Sequence, residues 1–122
     1  MITKDSLSGL KKLRDNLSFE DNPDVSRANK AIGAANKEFI PVFGFLSGWT
    51  SGFDKETGEV MIFIPLENFT GFSDDEKNKF YEIVKEKFTE ADFEIVKEED
   101  IGGEIYFHVG FASHMYILQS RG

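Results

Sequence analysis

The stretch EVMIFIPL, residues 59–66, limits the fold more than any other part of the chain. Read as a strand, it sends Val60, Ile62 and Ile64 to one side and Met61 and Phe63 to the other. A strand that is apolar on both faces must be covered on both, so it belongs in the middle of a sheet. The preceding segment EFIPVFGFLSGWTSGF, residues 38–53, is aromatic and β-branched and reads as its neighbouring strand, with Pro41 marking an edge or a bulge. The polar DKETGE between them is a turn, so the two are expected to form a hairpin. FIPV at 39–42 and FIPL at 63–66 look alike, but four residues are too few for a repeat, and chance similarity of two strand ends explains them.

Three helices are predicted around this hairpin. Leu7, Leu10, Leu13 and Leu17 form a helical stripe from Thr3 to about Leu17. Asn22 before Pro23 is a cap followed by proline at the first helical position. It opens a helix to about Asn36 with Val25, Ala28, Ile32 and Ala35 on one face. The third start is the clearest: Ser73 with Glu76 three residues on makes a capping box, and Asp74 and Asp75 suit the positive end of the helix dipole. Phe80, Ile83, Val84 and Phe88 are its buried stripe, and its end falls near Ala91. Residues 92–100 read as a strand with Phe93, Ile95 and Lys97 on one side and Glu94, Val96 and Glu98 on the other. A last strand begins at Glu104. The order α-α-β-β-α-β-β predicts a single α+β domain over 1–122, an antiparallel sheet of four to five strands with about three helices.

Charge and composition narrow the function. The net charge of −8 is uneven: residues 1–40 carry +1 and residues 41–122 carry −9. A chain this acidic repels nucleic acid and anionic membranes and attracts basic partners. With no cysteine there is no disulfide, thiolate nucleophile or cysteine–zinc site. The polar start and the absence of a long apolar run point to the cytoplasm. Abundant Lys, Glu, Phe and Asn suggest an AT-rich coding genome, as some phages have. No H-E-x-x-H, G-x-S-x-G or phosphate-loop motif is present, so no catalytic residue and no cofactor is assigned.

Two sets of candidate site residues remain. Glu82, Glu86 and Glu90 stack on one helix face, and Trp49 and Phe53, set among glycines and hydroxyls, are candidate interface anchors. Together they suggest a small module that binds a protein with a basic surface, as an inhibitor or regulator of a basic or nucleic-acid-binding protein. The alternative is a small-ligand or metal-binding enzyme built on IYFHVGFASHMYI, residues 105–117, which is nearly symmetric about Phe111. If the chain turns at Gly110–Ala112, His108 faces His114 and Tyr106 faces Tyr116, with opposed Cβ atoms about 5 Å apart. If the strand is continuous, the two histidines lie about 20 Å apart, at ~3.3 Å per residue, and share nothing.

Overall fold

The computed structural model describes residues 15–43, 48–102 and 109–121, and of residues 39–43 the backbone alone. The central strand is where the sequence puts it. Five strands, β1 (Leu17–Ser18), β2 (Thr50–Asp54), β3 (Val60–Pro65), β4 (Phe93–Ile101) and β5 (Ser113–Ser120), form one antiparallel sheet in the order β1-β2-β3-β5-β4. All six residues of β3 are buried. Val60, Ile62 and Ile64 pack in one core cluster, and Met61 and Phe63 in another with Ile101, Met115 and Ile117. The fold is thus α+β, with two α-helices among the described residues, α1 (Pro23–Phe43) and α2 (Asp74–Glu90).

Both helices lie on the Val60–Ile62–Ile64 face. Val25, Ala28, Ile32 and Ala35 of α1 join Phe80, Val84 and Phe88 of α2 there, against Tyr116 and Leu118 of β5. Full burial of each large side chain in this layer favours folding by about 1.5–3 kcal/mol. The predicted caps hold the helix starts. The Asn22 side-chain oxygen accepts from the backbone N–H of Asp24 at 2.8 Å and of Val25 at 3.3 Å. Ser73 accepts from Glu76 N–H at 3.2 Å while the Glu76 carboxylate accepts from Ser73 N–H at 3.1 Å, a complete capping box. The β2–β3 turn is held by Asp54, whose side chain accepts from the N–H of Glu56 and Thr57, and Gly58 supplies the positive φ of 80°.

Three expectations need correcting. The α1 helix does not stop at Asn36: its backbone continues through EFIPVF to Phe43, and β2 begins only at Thr50. Pro41 lies in the last turn of this helix, where it has no N–H to give to the carbonyl four residues earlier, so the helix runs to Phe43 with one backbone hydrogen bond fewer. The stripe spacing of Ile32 and Ala35 also continues in sequence onto Phe39 and Val42. Second, the helix predicted to about Leu17 ends at Asn16: Asp15 and Asn16 are helical and Leu17 already pairs with Asp54 in β1, while the rest of that predicted helix, up to residue 14, lies outside the described residues. Third, β4 is not evenly alternating. Ile95 pairs with Leu118 but Lys97 with Ile117, so Val96 is an extra residue, a β-bulge, and is 50% exposed. Among the described residues no helix is long and apolar enough to cross a membrane.

Candidate functional site

The bulge at Val96 creates the most unusual cluster in the molecule. Phe93 and Ile95 of β4 pack with the helix-side core. Past the extra residue the alternation shifts, and the paired positions become Glu98 with Tyr116 and Asp100 with His114. Two carboxylates therefore project beneath α2, on the face where Lys97 was expected. His114 is 7% exposed and sits between them. Its Nδ1 is 2.6 Å from Asp100 Oδ1 and its Nε2 is 2.8 Å from Glu98 Oε2. Ionised carboxylates only accept hydrogen bonds, so the ring is the donor toward them. Tyr81 of α2 stacks on the imidazole at 3.9 Å between ring centres, and Tyr116 meets it edge-on at 4.9 Å.

Lys85 of α2 reaches the other oxygen of Glu98 at 3.4 Å. Burial pushes the Glu98 carboxyl up, but the hydrogen bond and charge of His114, aided by Lys85, outweigh it and hold the group below its ordinary value. The Tyr116 hydroxyl is near enough to favour that charge, yet forms no well-shaped hydrogen bond. Burial and the neighbouring carboxylates keep the Tyr81 and Tyr116 phenols neutral far above their ordinary range. Beside the cluster a groove of about 430 Å³ runs between α2 and β4, lined by Asn78, Tyr81, Glu82, Lys85, Glu98 and His114.

This arrangement tells against His114 as a free base or metal ligand. Both ring nitrogens are occupied, and they point at different carboxylates, so the donors do not converge. Among the described residues no group of three His, Asp or Glu side chains is placed to hold a metal ion. The residue opposite His114 is Asp100 on one side and Ile64 on the other. His108 and Tyr106 lie outside the described residues. Tyr116 does share the cluster with His114, although as its edge-on neighbour on the same strand.

The acidic helix face is a second, separate feature. Glu82, Glu86 and Glu90 are all exposed on α2. Two nearby lysines, Lys85 and Lys87, are engaged in ion pairs. Lys85 goes to Glu98, and Lys87 bridges Glu38 at 3.4 Å and Glu90 at 3.3 Å. Glu82 and Glu86 keep no ion-pair partner among the described residues. Trp49 and Phe53 lie at β2, between β1 and β3 in the sheet. Both are half-buried against the helix-side core, and the Trp49 indole donates to Asn29 at 3.1 Å.

Sequence reasoning passed over Tyr81, Lys85, Glu98 and Asp100 as site residues. Tyr81 had a usable signal, since 81, 84 and 88 fall on one helical stripe. The two carboxylates had none, because their facing depends on the bulge. Compared with known protein families, curated proteins and solved structures, the chain matches none.

Proposed function

We propose that this protein is a binding module that engages a basic partner protein through the acidic face of α2, acting as an inhibitor or regulator of a basic or nucleic-acid-binding protein. The observation that supports this reading is the pair Glu82 and Glu86, exposed one turn apart and without an ion-pair partner among the described residues. Uncompensated like charges at this spacing cost a helix roughly 0.2–0.5 kcal/mol, a cost a basic partner removes. The overall charge of −8 adds long-range attraction for such a partner. Trp49 and Phe53, half-buried at β2, are the candidate aromatic anchors of the same reading.

The test compares capture of basic proteins by the wild type and by the triple variant Glu82→Lys, Glu86→Lys, Glu90→Lys at low and high salt. Exposed charges are screened over about 10 Å at 0.1 M salt, so wild-type binding should fall as salt rises. The variant should lose binding at an unchanged melting temperature. Binding retained by the folded triple variant would remove this helix from the interface.

A further inference from the structure

The groove between α2 and β4 opens directly beside Glu82, one of the two uncompensated glutamates. At about 430 Å³ it is in the size range of small-ligand clefts, roughly 300–1,000 Å³. It contains an unexplained polar group. Tyr81 lines it, is 8% exposed, and its hydroxyl has no hydrogen-bond partner among the described residues. A buried hydroxyl without a partner costs about 1–3 kcal/mol, which a ligand can restore. The positive groups of the groove are already committed: His114 spends both ring nitrogens on Asp100 and Glu98, and Lys85 is bound to Glu98. What the lining still holds are side chains with acceptors, Glu82, Tyr81 and Asn78; the Tyr81 hydroxyl is covered in the free protein, so a ligand reaches it only by displacing the atoms over it. Asn78, Tyr81, Glu82 and Lys85 are spaced by three and four residues, so they line one face of the helix.

Resting on the reading of the acidic face as a partner surface, we infer that this groove receives an arginine side chain of the basic partner, its guanidinium held by Glu82 and by the Tyr81 and Asn78 side-chain oxygens. Arginine fits better than lysine because its planar fork presents five N–H donors in fixed directions, enough for a carboxylate and two further acceptors together. A lysine ammonium has three donors and a stronger hydration shell to give up.

The experiment titrates the full chain with capped hexa-arginine and hexalysine peptides at low salt, reading affinity by calorimetry and location by amide NMR shifts. Hexa-arginine is expected to bind more tightly and to shift the amides of Asn78, Tyr81, Glu82 and Lys85. Glu82→Gln should weaken hexa-arginine binding about tenfold, the loss of one charge-assisted hydrogen bond. Tyr81→Phe, which keeps the ring stacked on His114, should weaken it about threefold. Glu86→Gln removes the same charge outside the groove and should change affinity far less. Equal affinity for the two peptides, or equal effects of Glu82→Gln and Glu86→Gln, would mean diffuse charge attraction and would overturn the arginine site while leaving the partner reading intact. Failure of that reading shows separately, as partner binding retained by the triple Glu→Lys variant.

Discussion

Two acidic regions of this molecule carry similar sequence and end in opposite states. On β4, Glu98 and Asp100 are bound from the inside: His114 bridges both, and Lys85 closes on Glu98. On α2, Glu82 and Glu86 face solvent with no cation among the described residues. The difference shows that acidity read along a chain is not one property. Carboxylates that a sheet register places next to a buried base become structural. Those on a helix face with no cation paired to them stay exposed to solvent.

The largest expected break in this contrast is His114→Ala. It removes a buried ring and leaves Glu98 half-buried without its main partner, so the domain should lose about 3 kcal/mol in urea unfolding. The same truncation at Glu82 should stay within about 0.5 kcal/mol. A loss below 1 kcal/mol at His114 would mean that the bracket contributes little to stability.

Acid titration is next in size. The native Glu98 carboxyl is held below its ordinary value of 4.5, so its stabilisation is present above that pH and lost as pH falls through the lowered native value. His114→Ala should flatten this acid limb. The phenols act at the other end of the scale. Tyr81 and Tyr116 are raised above 10.0, so their contribution is full below pH 10.0 and is lost as pH rises and the unfolded phenols ionise. Tyr81→Phe should reduce the alkaline loss of stability measured by thermal melting.

Smaller effects sharpen the comparison. Ser73→Ala breaks the capping box of α2 and should cost about 1 kcal/mol, with the helix face otherwise unchanged. Glu86→Gln should raise stability by a few tenths of a kcal/mol, since it relieves like-charge repulsion without losing any contact. A fall in stability on that substitution would show that Glu86 has a stabilising contact and is not a loose acid.

The sequence by itself determined the parts of this protein that local chemistry settles. The two-faced apolar run at 60–64 made β3 central because no other place covers both of its faces. The caps at Asn22 and Ser73 start their helices because a short side-chain acceptor meets free N–H groups a few residues on. Tertiary structure decided the rest. Phe-Ile-Pro occurs at 39–41 as helix and at 63–65 as strand, the same three residues in two conformations chosen by their surroundings. The site depended on tertiary structure even more. One extra residue at Val96 shifts the alternation of β4, and only strand pairing with β5 reveals it. That shift brings Glu98 and Asp100 to His114, because a period-two strand turns a one-residue offset into a change of face.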